Sequence, residues 1–329
     1  MNIAINGFGR IGRVILRILC ERGIKVTAIN DLGGVETAAY LLKHDTAYGN
    51  FNGKAEIKEG DLVVNGKRIK FFSQKDPLQL PWKQMKIDVV IEAAGVFNEG
   101  NLASQHLIAG AKKVIITAPA KGADATIVPG VNHSILNKSH NIVSVSSCTT
   151  NCLAPIVKIL NNYFGVEKAL MTTIHAYTND QAIQDTAHKK LRRGRAGAAN
   201  LIPTTTGAAH SVEEVIPEMK GRVTGLAVRA PVICGSLIDL TAELRRPFTT
   251  EEINAVFELE ARKGMKGIIE YSGDELVSSD VIENTHSAVF DSKLTQKSGN
   301  LVKIFAWYDN EYGYSQRVAD VVVMMEKFV

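Results

Sequence analysis

The sequence predicts an α/β chain of two domains, a doubly wound parallel sheet followed by an α+β domain with a mixed, largely antiparallel sheet. Three observations carry this prediction. Short apolar runs alternate with amphipathic stretches through the first half. A G-x-G-x-x-G turn, Gly7-Phe8-Gly9-Arg10-Ile11-Gly12, joins the first run to the first amphipathic stretch. After Gly165 the apolar runs lengthen, gain threonine and are separated by long loops with few helical patterns. A chain of 329 residues is long enough for two cores, and 45% hydrophobic with 22% charged residues is a globular composition.

Asn2 to Asn6 reads as a short buried strand, and Val14, Ile15, Ile18 and Leu19 mark the helix after the glycines. Gly23 ends that helix, and Lys25 to Asn30 is the second strand of a βαβ unit. The glycines permit a tight turn and close approach of a pyrophosphate to the helix N-terminus. The competing reading gives the same three glycines a packing role only. Asp31 closes the second strand 19 residues beyond Gly12, near the ~20 expected of an acid that binds ribose hydroxyls. A carboxylate there accepts from a free 2′-hydroxyl and repels a 2′-phosphate, which favours NAD over NADP.

Residues 54–72 break the α/β rhythm. Asn65-Gly66 between two short apolar runs signals a hairpin, an antiparallel excursion at the sheet's edge. The parallel rhythm returns with Asp88 to Ala93, a helix near Leu102 to Gly110, and Lys113 to Thr117. Ala94-Gly95 and Thr117-Ala118-Pro119 fall at C-terminal strand ends, where open α/β sheets bind ligands.

Ile142 to Val145 is the last strand of this half and leads into Ser146-Ser147-Cys148-Thr149-Thr150-Asn151-Cys152. Leu153, Ile156, Val157 and Leu160 then carry a helical period. Cys148 is therefore placed at the mouth of a helix, where free N–H groups and the partial positive charge favour a thiolate. Thr149, Thr150 and Asn151 are candidate caps. Inert packing is the competing reading for Cys148, and the better one for Cys152. Positions i and i+4 lie too far apart for an unstrained disulfide, and no further ligands stand at zinc spacing.

In the second half, Val166 to Thr178 reads as a strand containing His175. Val223 to Arg229, Ser236 to Leu244 and Leu301 to Trp307 read as further long strands, and Thr250 to Arg262 as a helix. A histidine in a strand is more often a satisfied core residue than a catalyst; His175 stands out among eight only through its threonine-rich neighbours. The basic run 188–195 reads as solvated surface, as a nucleic-acid contact, or as an anion site formed by Arg195 beside Pro203-Thr204-Thr205-Thr206-Gly207. Arg229, at a strand end, is a second candidate cation. A C-terminal helix presents Val318, Val321, Val322 and Met325 on one face and is expected to complete the first domain.

Composition narrows the classes. A formal net charge of +4 is too weak to argue for nucleic acid. Four cysteines without framework spacing point to a reducing, cytoplasmic compartment. Neither a signal peptide nor a membrane span is expected, and no internal repeat stands out.

With these residues assembled, the chain resembles the phosphorylating glyceraldehyde-3-phosphate dehydrogenase family over essentially its whole length. The motifs are Asn6 to Arg13, Ser147 to Cys152, His175 with Tyr177-Thr178-Asn179-Asp180, Arg192 to Arg195, Thr204 to Ala208, and Trp307 to Tyr314. The resemblance implies an NAD-binding domain over 1–147 completed by 311–329, and a catalytic domain over 148–310. It implies Cys148 as nucleophile and His175 as base. Gly7, Gly9, Arg10, Ile11, Gly12, Asp31 and Thr117 match cofactor-site positions, and Lys75 stands where many members carry arginine. Asn310 matches the residue that holds the nicotinamide amide. Ser147, Thr149, Thr206 and Gly207 match the inorganic-phosphate pocket, Thr178 and Arg229 the substrate-phosphate pocket, and Arg195 an arginine near both. No metal is implied. The loop from about Thr178 to Asn200 resembles one that lines a neighbouring subunit's cofactor site, which implies a homotetramer.

The implied reaction oxidises glyceraldehyde 3-phosphate through a thiohemiacetal and a thioester, which inorganic phosphate cleaves to an acyl phosphate. Several positions depart from the family pattern: Val145-Ser146, Ala230 to Gly235 after Arg229, and Thr186-Ala187 with Gly33-Gly34, which resemble relatives that accept NADP. NAD is therefore expected, with NADP as a tolerated alternative. The rival readings are the same chemistry on erythrose 4-phosphate, a nucleic-acid-binding protein, and a cysteine hydrolase. Intact Tyr177 to Asp180 argues against the first, the idle Cys148 and His175 against the second, and Gly7 to Gly12 with Asp31 against the third.

Overall fold

The computed structural model describes all 329 residues, which fall into two compact units. Met1–Ile127, His133–Ser146 and Ser315–Val329 form the first; Val128–Asn132 and Ser147–Tyr314 form the second. The segment Val128–Asn132, expected with the first domain, clusters with the second. Val128 and Val131 pack into the second unit's core, and the Lys158 ammonium donates to the carbonyls of Gly130, at 3.2 Å, and Val131.

In the first unit, β1 (Ile3–Asn6), α1 (Arg10–Glu21) and β2 (Val26–Asn30) build the βαβ unit. A helix that the sequence reading missed follows, α2 (Gly34–Lys43). Then come β3 (Ala55–Lys58), β4 (Asp61–Val64), β5 (Lys67–Phe72), β6 (Val89–Glu92), α3 (Gly100–Ile108), β7 (Lys113–Ile116), β8 (Ala125–Thr126) and β9 (Ile142–Ser144). They form a nine-stranded sheet in the order β3-β4-β5-β2-β1-β6-β7-β9-β8. Every pairing from β5 to β8 is parallel; only β3–β4 and β4–β5 are antiparallel. Asn65 at φ 50° and Gly66 at φ 76° make the two-residue turn between β4 and β5, as an Asn-Gly hairpin requires. Strand order reverses on either side of β1, so the crevice at the C-terminal ends of β1, β2 and β6 is the topological switch point.

The second unit opens with α4 (Cys148–Phe164), followed by β10 (Val166–Ala176), β11 (Ile202–Thr205), a short helix α5 (Ala208–Val215), β12 (Val223–Ala230), β13 (Ser236–Leu244) and α6 (Thr250–Arg262). It continues with β14 (Ile269–Ser272), β15 (Ala288–Asp291), β16 (Gln296–Ser298), β17 (Leu301–Tyr308) and the start of α7 (Tyr312–Met325). The sheet runs β11-β12-β10-β13-β17-β15-β14, with β16 hung on β17. It is mixed: β10–β12 and β14–β15 are parallel, the rest antiparallel. Alternate residues of β13 are buried, including Ile238, Leu240 and Ala242, as period 2 requires of a sheet with one covered face. Helix α4 lies in the same core with Leu153, Ile156, Val157 and Leu160. Phe257 of α6 stacks on Phe290 of β15, ring centroids 4.1 Å apart, in its deepest part. The face of α7 carrying Val318, Val321, Val322 and Met325 is buried.

Candidate active site

The switch-point crevice of the first unit is a cleft of about 560 Å³ lined by Asn6, Gly7, Gly9, Asn30, Asp31, Gln74, Lys75, Ala94 and their neighbours. Two glycines of the G-x-G-x-x-G turn are sterically obligatory. Gly7 has φ +91°, and a Cβ there would meet the Ala94 nitrogen at 2.3 Å. A Cβ on Gly12 would meet the Gly7 carbonyl oxygen at 2.1 Å. Gly9 is the N-cap of α1 and brings no capping side chain, so the first-turn N–H groups keep their capacity for an external anion. The Asp31 carboxylate accepts from the Phe8 N–H at 2.6 Å and the Gly33 N–H at 2.8 Å. One oxygen takes each, leaving further lone pairs for ribose hydroxyls. This cradle fits a dinucleotide: dipolar amides for phosphate, an anion for a diol.

Of the sequence-predicted contacts, Gly7, Gly9, Asp31 and Lys75 line the cleft. The Arg10 side chain pairs with Asp45 at 2.5 Å and lies over the Tyr48 ring, and Arg10 is not among the residues lining the cleft. Thr117 donates its hydroxyl to the Glu92 carbonyl. Sequence reasoning missed a buried polar chain behind the cleft. The Trp82 indole N–H donates to His106 Nδ1 at 3.0 Å, and His106 Nε2 lies 3.0 Å from the Glu92 carboxylate. Glu92 accepts from the Asn6 amide at 2.6 Å and from the Ala94 N–H at 2.7 Å. Asn6 and Ala94 line the cleft, while Trp82 and His106 are fully buried.

In the second unit the reactive group is set by α4. Ser147 is the N-cap, its hydroxyl accepting from the Thr150 N–H at 3.1 Å. The candidate caps Thr149, Thr150 and Asn151 lie inside the helix instead. The chain enters through Ser146 at φ 55°, so the helix begins one residue earlier than the polar run suggests. Cys148 is thus the first helical residue. Its sulfur lies 3.4 Å from His175 Nε2. Parallel pairing of β10 and β12 sets His175 beside Arg229. His175 Nδ1 is 2.7 Å from the Ala176 carbonyl, and Arg229 Nη1 reaches the same oxygen at 3.2 Å, 2.5 Å from Nδ1. The carbonyl only accepts and the guanidinium only donates; with the guanidinium bonded to the carbonyl and the ring proton on Nδ1, Nε2 turns its lone pair to the sulfur.

Burial shifts both partners of the pair. It pushes the Cys148 thiol up, and Arg229 with the hydrogen bonds at Thr149 only partly offsets it. The same burial, reinforced by the Arg229 guanidinium, pulls His175 down to about 3. Burial thus works against the helix terminus at the sulfur, and it favours a neutral imidazole opposite. Behind them the Tyr308 hydroxyl touches Thr149 Oγ at 3.0 Å and Thr173 Oγ at 2.7 Å. Thr173 and His175 share a face of β10, a period-2 signal that would have singled out Thr173. Burial raises the Tyr308 phenol well above its ordinary value.

The anion-site candidates are divided. Arg195 pairs with Asp185 at 2.7 Å and is largely exposed, so it does not flank the threonines as expected. Arg193 takes that place, donating to Thr204 Oγ at 2.9 Å and to the Thr205 carbonyl at 3.3 Å while also pairing with Asp180. Thr206 and Gly207 precede α5, Thr206 Oγ accepting from the Ala208 N–H at 3.2 Å. The Thr178 N–H donates to Gln181. Asn310 is buried just beyond β17. The four cysteines are free, and no cluster of three His, Cys, Asp or Glu could hold a metal ion.

The first unit carries a cleft suited to a dinucleotide and the second a thiol set against an imidazole, parts in keeping with an oxidoreductase. Comparison with known proteins narrows this. Residues 1–100 match the family model "Glyceraldehyde 3-phosphate dehydrogenase, NAD binding domain", and residues 147–310 match "Glyceraldehyde 3-phosphate dehydrogenase, C-terminal domain". The chain is 52% identical over 329 residues to glyceraldehyde-3-phosphate dehydrogenase of Thermotoga maritima, covering 99% of both chains. It is 50% identical to glyceraldehyde-3-phosphate dehydrogenase 1 of Bacillus cereus, covering 98% of both. The Streptomyces coelicolor enzyme of that name is 48% identical, over 99% of this chain and 98% of the relative. The chain belongs to the glyceraldehyde-3-phosphate dehydrogenase family and is an NAD-dependent oxidoreductase.

Proposed function

We propose that this chain oxidises D-glyceraldehyde 3-phosphate to 1,3-bisphosphoglycerate through a thioester on Cys148. The observation that carries the reading is the 3.4 Å approach of the Cys148 sulfur to His175 Nε2 at the first turn of α4. The thiol proton passes to Nε2 as sulfur attacks the aldehyde carbon, and the imidazolium returns it to the new alkoxide as a thiohemiacetal forms. His175 then takes that hydroxyl proton back as the carbon loses hydride. Bound NAD supplies the hydride acceptor. Inorganic phosphate displaces sulfur from the thioester, and the departing thiolate recovers its proton from His175. Arg229 and Thr178 hold the substrate phosphate. Ser147, Thr149, Thr206 and Gly207, with Arg193 or Arg195 nearby, receive inorganic phosphate. Asn310 holds the nicotinamide carboxamide. Asp31 selects NAD over NADP by repelling a 2′-phosphate.

The chain works as a homotetramer in the cytoplasm. Loop 178–200 supports the assembly: Ile183 is 91% and Leu191 86% exposed, surfaces suited to cover by a second copy. No helix is long and apolar enough to cross a membrane.

The test is absorbance at 340 nm with glyceraldehyde 3-phosphate and NAD, with and without phosphate or arsenate. Turnover that depends on the anion, is lost in Cys148→Ser and prefers NAD to NADP supports the reading. Turnover indifferent to phosphate, or retained in Cys148→Ser, removes it.

A further inference from the structure

The geometry points to Ser236 as a positioning residue that fixes which face of the Asn310 amide meets a ligand. This rests on the proposal above that Asn310 holds the nicotinamide carboxamide. Ser236 opens β13, is 1% exposed, and pairs across the sheet with Tyr308, two residues before Asn310. Its hydroxyl donates to Asn310 Oδ1 at 2.8 Å. The Ser236 hydroxyl oxygen accepts in turn from the Ala176 N–H at 3.1 Å. The Cys234 thiol, 3.2 Å from the Asp309 carboxylate, also lies 3.8 Å from Asn310 Oδ1. The Ser236 hydroxyl thus claims the oxygen end of the amide, and Asn310 Nδ2 donates to no protein group. A side-chain amide otherwise presents either a donor or an acceptor by a half-turn about its last bond. Here the half-turn would set NH₂ against the Ser236 hydroxyl and leave that buried hydroxyl proton without an acceptor. The amide is therefore locked as a donor, matched to a carboxamide oxygen.

The lock also ties this residue to the base. Ala176 serves Ser236 through its N–H and His175 through its carbonyl, so one residue of β10 orients both the proton acceptor and the ring anchor.

The experiment is equilibrium titration calorimetry of the full chain with NAD and with ADP-ribose, which lacks the nicotinamide. Ser236→Ala should weaken NAD by about tenfold, the size of one neutral hydrogen bond, and leave ADP-ribose unchanged. Ser236→Cys, close in volume with a poorer donor, should fall between. In an Asn310→Ala background Ser236→Ala should cost nothing further. Unchanged NAD affinity in Ser236→Ala, equal losses for both ligands across both Ser236 variants, or additive losses in the double variant would overturn the inference. Asn310→Ala separates the two readings. If it spares NAD, the nicotinamide assignment falls and Ser236 with it; if it weakens NAD alone while Ser236→Ala does not, only the Ser236 role falls.

Discussion

His175 is neutral because it is buried, and this has two measurable consequences. Its folded-state pKa of about 3 lies below the ordinary 6.5, so between those values the unfolded chain binds the extra proton. The stability tied to this residue is present above about pH 6.5 and is lost as pH falls toward 3. His175→Asn should therefore flatten part of the acid limb of a urea-midpoint-versus-pH curve; an unchanged limb would contradict the burial account. The same variant removes the acceptor facing sulfur, so alkylation of Cys148 by iodoacetamide should slow and need higher pH. Arg229 belongs to the same scale. Arg229→Ala should reduce kcat/KM for the phosphorylated aldehyde by roughly tenfold or more beyond any loss with plain glyceraldehyde, since a charged contact is worth ~1.5–3 kcal/mol. Equal losses would place the substrate phosphate elsewhere. Cys148 was legible because a strand, a polar turn and a helical period lie side by side in sequence. Its meeting with His175 was not, because the pairing of β10 with β12 and the entry of α4 are set by tertiary packing.

At the scale of elements, signals that live within a few residues were readable. Asn65-Gly66 names its own hairpin, and the helix read from Thr250 is α6, whose N-cap is Thr249, one residue earlier, in a capping box with Glu252. Helix α2 begins at Gly33-Gly34, residues that argue for a turn, and α5 is only two turns long; both depend on what they pack against. The departure at Gly235 has the same character. Its φ is +84°, and a Cβ there would lie 2.0 Å from the Ser278 carbonyl oxygen, a neighbour distant in sequence. Gly235→Ala should cost roughly 2 kcal/mol or more, read as a lower urea midpoint with an unchanged slope. A neutral result would mean the Ser278 segment yields freely.

For the whole molecule, the two-unit plan followed from the change of rhythm after Gly165. The basic run 188–195 was open to three meanings because its partners are acids of the same loop. Asp180 takes Arg193 and lies near His188, and Asp185 takes Arg195, so two of the run's five lysine and arginine charges are internally matched. Beside the exposed Lys189, Lys190 and Arg192, the loop also presents apolar surface at Ile183 and Leu191. Light scattering coupled to size exclusion should give four times the 35.8 kDa chain mass, and Ile183→Asp with Leu191→Asp should reduce it. A monomer in the unaltered protein would remove the assembly and the need to cover that surface.

The buried chain from Asn6 to Trp82 gives the first unit an intrinsic optical reporter. An indole sealed from water emits at short wavelength, and this one is bonded through a histidine and a carboxylate to an amide on the cleft wall. Trp307, the other tryptophan, is half-buried and donates to Asp291 in the second unit. With Trp307 replaced by phenylalanine, a single emitter would remain, and its light would follow the filling of the cleft without any attached dye.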